Sequence, residues 1–187
     1  MKLNKKQIKQ IERFAFDYYK KQDSQHNLNH AYKTMKLAIH IARKEKANIM
    51  IAKYGALLHQ FHPERKKLVE HFLRRIDIDK NIIKQLVHCV ECTDRKTIYK
   101  AKTLEAKVVF DADKLQAIGP LGVIRNTLYV IEYYKMSFDD AIKYGKWGDK
   151  SCFILLQTKT AKKLAKEPHE LAMKFYKILD KWNKVEL

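Results

Sequence analysis

Glycine and proline are scarce in this chain, at five and three of 187 residues. So few leave no Gly-rich loop to cradle a phosphate and no Pro/Gly/Ser-rich break between domains. The simplest organisation is therefore one domain over residues 1–187, long enough to bury a core without staples. Cysteine is as rare. Three Cys cannot all pair, and Met1-Lys2-Leu3-Asn4-Lys5-Lys6 leads into an amphipathic run rather than an apolar one. No signal peptide is expected, and the expected compartment is the reducing cytoplasm. No apolar stretch approaches the roughly 18 residues of a membrane span, so no membrane partner is expected. Strand alternation and fixed-period repeats are also missing.

Acidic residues are outnumbered. Asp and Glu total 21 against 39 Lys and Arg, a net charge of +18. Lysine supplies most of the excess and is spread over every predicted helix, with no Arg/aromatic motif of the kind that reads bases. A solvated lysine-rich surface accounts for this pattern. Attraction of small anionic substrates such as nucleotides is a second account, and a nucleic-acid partner stays open without being favoured.

What remains is helix after helix. Ile8, Ile11, Phe14, Ala15, Tyr18 and Tyr19 recur at three and four, predicting a first helix that ends near Lys21. Asp23-Ser24 can cap a second helix starting around His26, and Asn48 caps a third from Ile49 to His59, apolar on most of its surface and hence central. Pro63 stops it. A fourth helix runs from Glu64 to about Arg75, and Asp77-Ile78-Asp79 opens a fifth that extends to Cys92. Thr93 to Lys102 reads as a basic loop. Thr103 with Glu105 begins the next helix, Gly119-Pro120 breaks it, and a further helix spans Leu121 to Tyr134. Ser137 caps a short helix, Gly145-Lys146-Trp147-Gly148-Asp149 reads as a turn, and a final long helix or broken pair reaches Trp182. The class is all-α.

The stretch Thr103–Gly119 sets two acids, Asp111 and Asp113, beside a hydrophobic run that must be buried. Burying an unpaired carboxylate costs several kcal/mol or more, so these acids need a metal, a cation or a set of donors. Candidate partners are His26 and His30, four apart at the head of one helix, and His59 at the end of another. Two imidazoles from separate helices and a buried aspartate suit one divalent ion, Mn, Ni, Co, Fe, Mg or Zn. Cys89-Val90-Glu91-Cys92, with His88 beside it, has no second ligand pair at zinc-finger spacing and reads as small buried residues on a helix.

The order His30, then Leu57-Leu58-His59, then Asp111-Ala112-Asp113-Lys114-Leu115, followed by Ala117-Ile118-Gly119-Pro120-Leu121-Gly122-Val123-Ile124-Arg125, resembles the HD superfamily of metal-dependent phosphohydrolases, in its small all-helical branch of nucleotide pyrophosphohydrolases. The resemblance covers about Ser24 to Ala165. It implies a helical bundle in which a first His, a His-Asp doublet and a distant Asp bind one metal; His30, His59 and Asp113 match. The doublet does not, because Gln60 follows His59. Asn27 and Gln116 also stand where the family usually has Asp. An amide is a neutral and weaker donor, so metal affinity should be lowered, with Gln60 or His62 open as the remaining donor.

By the same resemblance, Glu64 would position an attacking water, Asp111 is a second candidate catalytic acid, and Arg65, Lys66 and Lys96 are candidates for holding phosphate. By the resemblance Arg125, at the end of Leu121-Gly122-Val123-Ile124-Arg125, would contact substrate or pair with Asp111. The implied function is a metal-dependent nucleotide phosphohydrolase with an altered shell. A pseudoenzyme that binds a nucleotide without turning it over, and a basic nucleic-acid- or partner-binding scaffold, are the alternatives.

Overall fold

The computed structural model describes residues 2–182 and Val185. Among these residues every regular element is helical. The order is α1 (Lys5–Tyr19), α2 (Leu28–Glu45), α3 (Ile49–Leu58), α4 (Lys66–Arg75), α5 (Lys80–Glu91), α6 (Leu104–Lys114), α7 (Gly119–Tyr134), α8 (Phe138–Leu155) and α9 (Lys159–Trp182). Four single 3₁₀ turns join them: His59–Phe61, Pro63–Arg65, Ile98–Lys100 and Leu115–Ala117. No described helix is long and apolar enough to cross a membrane.

The chain groups into two compact units, one up to Asp113 and one from Lys114 onward. The sequence carried no sign of this division, because the boundary falls within α6 and no shift in composition or run of breakers marks it. In the first unit α3 is the axis. Ile51, Ala52, Tyr54, Gly55, Ala56, Leu57 and Leu58 are all buried, and α2 and α5 pack on it. Gly55 lets α5 come close, for a Cβ there would lie 2.9 Å from the Cβ of Cys89. Cys89 and Cys92 are free and buried, as is Cys152. Burial pushes the Cys92 thiol up to about 11 and the Cys89 thiol higher still, so both stay protonated at neutral pH, as the small-buried-residue reading requires.

Local signals set most boundaries. Asn4 and Gln7 form a capping box at α1, while Asn48 and Asp79 cap α3 and α5 through their side chains. The second helix begins later than Asp23-Ser24 suggested. Asp23 instead closes a turn by accepting from the N–H groups of Gln25 and His26, and Asn27 caps α2 by accepting from the His30 N–H at 3.2 Å. The basic segment 93–102 is a loop apart from the 3₁₀ turn at Ile98–Lys100.

In the second unit α7, α8 and α9 pack on one another. The expected turn at Gly145–Asp149 and the short helix before it are both overturned, since α8 runs unbroken from Phe138 to Leu155. The glycines there serve close packing instead of chain reversal. A Cβ at Gly145 would stand 2.7 Å from the Tyr176 hydroxyl and 3.1 Å from Thr127 Oγ1, and one at Gly148 would stand 3.0 Å from Asn126 Nδ2. Asp149, fully buried, accepts from the Gly119 N–H at 2.5 Å and pairs with His169, whose ring stacks on Phe153. One carboxylate thereby satisfies an orphan donor at the start of α7 and ties it to α9. The final segment is a single helix with Pro168 inside it, the first of the two alternatives left open from sequence.

Gly145→Ala tests this packing. An alanine would normally favour a helix by about 1 kcal/mol, but here the methyl meets a fully buried tyrosine. A net loss of about 1–2 kcal/mol is expected, read as a lower denaturant midpoint at unchanged m value.

Candidate metal centre

His30 lies in the first turn of α2, where the Asn27 cap fixes its backbone and Thr34 Oγ1 donates to its carbonyl at 2.9 Å. His59 begins the 3₁₀ turn that closes α3. That turn is held from outside. The Tyr19 hydroxyl donates to the Leu57 carbonyl at 3.0 Å and the Tyr18 hydroxyl to the Gln60 carbonyl at 2.8 Å. Phe61 stacks between Phe14 and Tyr18. Thr93 Oγ1 reaches the His59 carbonyl at 3.4 Å while bonding Val90 at 2.9 Å. Burial raises Tyr19 well above the ordinary phenol range and keeps it a donor.

The His59 ring is oriented by its own helix. Nδ1 stands 2.6 Å from the Ala56 carbonyl, and a carbonyl can only accept, so Nδ1 carries the proton and Nε2 presents a lone pair. His59 Nε2 lies 3.1 Å from His30 Nε2, and Asp113 Oδ1 lies 3.2 Å from His30 Nε2 and 3.5 Å from His59 Nε2. Both histidines are buried, and Asp113 keeps 13 % side-chain exposure. Ligands at about 2.1 Å from one ion stand about 3.0–3.4 Å apart in octahedral or tetrahedral shells. The triangle fits that spacing, and its two imidazole nitrogens and one carboxylate oxygen are borderline donors suited to a divalent first-row metal. His30, His59 and Asp113 would hold the ion.

The other candidate residues are placed as follows. Gln60 is buried in the same 3₁₀ turn as His59. His62 is exposed, with φ of 54°, and lies outside the cluster of three. Asp111 is fully buried on α6, but two residues along a helix is about 200° of rotation, so it cannot share the face that carries Asp113. Glu64 is exposed in the 3₁₀ turn Pro63–Arg65. Arg65 Nη1 donates to the Tyr18 hydroxyl at 2.9 Å, and Lys66 donates to Glu91 at 2.6 Å, holding that carboxyl below its usual range. Lys96 is exposed, its backbone N–H on Asp94. Arg125 is half-buried on α7, in the second unit. Gln116 is buried in the 3₁₀ turn after α6, also in the second unit.

Sequence reasoning missed Tyr18, Tyr19, Thr93 and Arg65 as the residues that brace the His59 turn. The signal available was weak. Tyr18 and Tyr19 fitted the apolar period of α1, and nothing in that period separates a packing ring from a ring whose hydroxyl reaches a carbonyl about 40 residues away in sequence.

Restoring a carboxylate beside His59 should strengthen metal binding. Gln60→Asp is expected to raise affinity for Mn, Ni or Co by roughly tenfold or more, about 1.4 kcal/mol, in titration calorimetry. Tight stoichiometric binding by the unmodified chain, with no gain on substitution, would show that another residue already fills the place.

No family model matches the chain. Bacillus subtilis YpgQ is 27% identical over 191 residues, spanning 94% of this chain and 93% of that protein. Its structure in complex with ADP superposes with a TM-score of 0.75 at 25% identity, over 92% of this chain and 96% of that one. An HD-superfamily hydrolase from Bacillus thuringiensis gives a TM-score of 0.73 at 22% identity, over 96% and 98% of the two chains. A predicted HD superfamily hydrolase from an uncultured Thermotogales bacterium gives 0.62 at 22% identity, over 95% and 92%. With two histidines and an aspartate brought together in the order the sequence resemblance called for, the chain has the all-helical fold of the HD-superfamily hydrolases.

Proposed function

We propose that this protein is a metal-dependent phosphohydrolase acting on a nucleotide. The observation that carries the reading is the convergence of His30 Nε2, His59 Nε2 and Asp113 Oδ1 within 3.5 Å of one another. The ADP found with YpgQ supports a nucleotide as ligand. His30, His59 and Asp113 would hold a divalent ion that, when bound, would supply Lewis acidity toward a phosphoryl oxygen and a bound water, the chemistry that hydrolysis of a phosphate ester needs. The chain's own contribution is to fix that ion's surroundings. The Nδ1 proton shared with Ala56 holds the His59 ring, and the Tyr18 and Tyr19 hydroxyls hold the turn that carries it. Glu64 is the candidate to orient water. Arg65, Lys66 and Lys96 are the candidates to offset phosphate charge, Lys66 exchanging its partner Glu91 for substrate. The products would be a nucleoside monophosphate and pyrophosphate, or a dephosphorylated nucleoside.

Gln60 favours a second reading. With a neutral amide after His59 the shell carries one negative charge fewer than a His-Asp doublet would supply, so the same pocket would bind a nucleotide without hydrolysing it. One preparation separates the two. A hydrolase releases phosphate or pyrophosphate from nucleotides with added Mn or Co, and His59→Ala drops this to background while the helical circular dichroism is kept. A binder shows a raised melting temperature with nucleotide and no product. Binding to long DNA or RNA that collapses steeply with salt, with no response to mononucleotides, would sink both in favour of a polyanion scaffold.

A further inference from the structure

The end of the basic segment 93–102 hangs on one imidazole. Upstream, Ile98 is buried, and downstream Thr103 caps α6 by accepting from the Ala106 N–H at 3.2 Å. Between these anchors Tyr99, Lys100 and Lys102 are exposed. The Lys100 and Ala101 N–H groups stay local and close the 3₁₀ turn on the Thr97 and Ile98 carbonyls, both at 2.9 Å. The Lys102 N–H instead leaves the segment and donates to His88 Nε2, in the last turn of α5, at 3.1 Å. A backbone N–H can only donate, so this Nε2 carries a lone pair and the ring proton sits on Nδ1.

That bond exists only while the ring is neutral. An imidazolium is a donor at both nitrogens and would set N–H against N–H at Lys102. The ring's charge is decided on its other side, where His88 Nδ1 stands 3.7 Å from Glu91 Oε2 and the other oxygen of that carboxylate accepts from Lys66 Nζ at 2.6 Å. Lys66 holds the Glu91 carboxyl below its usual range and also offsets the negative charge that would draw a second proton to His88. Cys92 Sγ lies 3.8 Å from both ring nitrogens as a protonated thiol, with the Lys100 charge bearing on it as well. Glu70 and Arg74 of α4, bonded to each other, and the exposed Lys80 and Lys84 of α5 line the groove beside the ring. Of these side-chain types, imidazole is the one whose ordinary charge change falls between about pH 5 and 8. We infer that His88 is a latch on segment 99–102: neutral, it holds the segment down; protonated, it lets go, and the Lys66–Glu91 pair sets the balance. When Lys66 turns to a phosphate, a step that rests on the nucleotide reading of the site, Glu91 is left with His88 as its cation. Nε2 then takes up a proton from solvent, the Lys102 bond breaks, and the segment carrying Lys100 and Lys102 opens. Ligand binding and proton uptake are thereby linked.

Hydrogen exchange of the Lys102 amide in the full chain, read by NMR and divided by the intrinsic rate at each pH, tests the latch without any ligand. Protection should fall about tenfold from pH 8 to pH 5. His88→Gln, whose side-chain oxygen accepts in the place of Nε2 and takes up no proton, should keep protection at both ends of that range, and His88→Ala should lack it at both. Lys66→Met should move the loss to higher pH by about half a unit or more, and Glu91→Gln should move it to lower pH. Protection that is flat with pH in the unmodified chain, or a midpoint that Lys66→Met and Glu91→Gln leave in place, overturns the latch. Calorimetry of ADP binding with added Mn, at pH 7 in two buffers of different ionisation enthalpy, reads the link to the site. The unmodified chain should take up more protons than His88→Gln. Equal uptake overturns the link, whereas no ADP binding by either protein overturns the nucleotide reading and the link together, and not the latch that exchange reports.

Discussion

A carboxylate beside two imidazoles in a buried place is the constraint on which the first unit depends. Asp113 could not sit at the end of an apolar helix as a bare ion, since an uncompensated buried charge would cost more than a typical domain can spare. It faces the Nε2 atoms of His30 and His59, and lone pairs gathered this closely would be compensated by a divalent cation held among them. That arrangement requires α2, α3 and α6 to present one residue each to the same point, and the surrounding structure serves that requirement. α3 is buried almost throughout, which fixes its end, and the aromatic residues of α1 clamp the turn that follows.

The clamp explains why α1 is rich in rings. Phe14 stacks on both Phe61 and Phe72 at centroid separations of 4.8 and 3.9 Å, and Tyr18 continues the stack onto Phe61 at 4.0 Å. Planar stacking resists sliding in directions that aliphatic contacts permit, and the two hydroxyls add direction by donating to carbonyls on either side of His59. Arg65 then bonds the Tyr18 hydroxyl from outside, so a candidate phosphate-binding residue and the support of a candidate metal ligand share one atom.

The second unit solves a different problem. Its helices approach closely through Gly145, Gly148, Ala141, Ala161, Ala165 and Ala172, all buried, and Tyr176 of α9 closes on Gly145. Inside, Asp149 answers the Gly119 N–H and His169, while burial drives its carboxyl upward in pKa; the buried Thr127 and Tyr176 hydroxyls have no hydrogen-bond partner among the described residues.

The sequence by itself determined the helical class, most helix starts and the three metal-site candidates, because capping residues, apolar period and the ligand types His30, His59 and Asp113 are local or strictly ordered features. Asn48 and Asp79 could be read as caps without any tertiary knowledge. Only the tertiary structure decided the rest. Gly145 and Gly148 read as a turn because glycine is ambiguous: the missing Cβ that permits a reversal also permits a neighbouring helix to come within contact, and only the position of Tyr176 and Asn126 tells which is in use. Asp111 and Asp113 read as a pair in sequence and part on the helix, since two residues turn through about 200°. The roles of Tyr18, Tyr19 and Thr93 rest on hydrogen bonds across 34 to 42 residues, and no local pattern encodes which distant carbonyl a hydroxyl will meet.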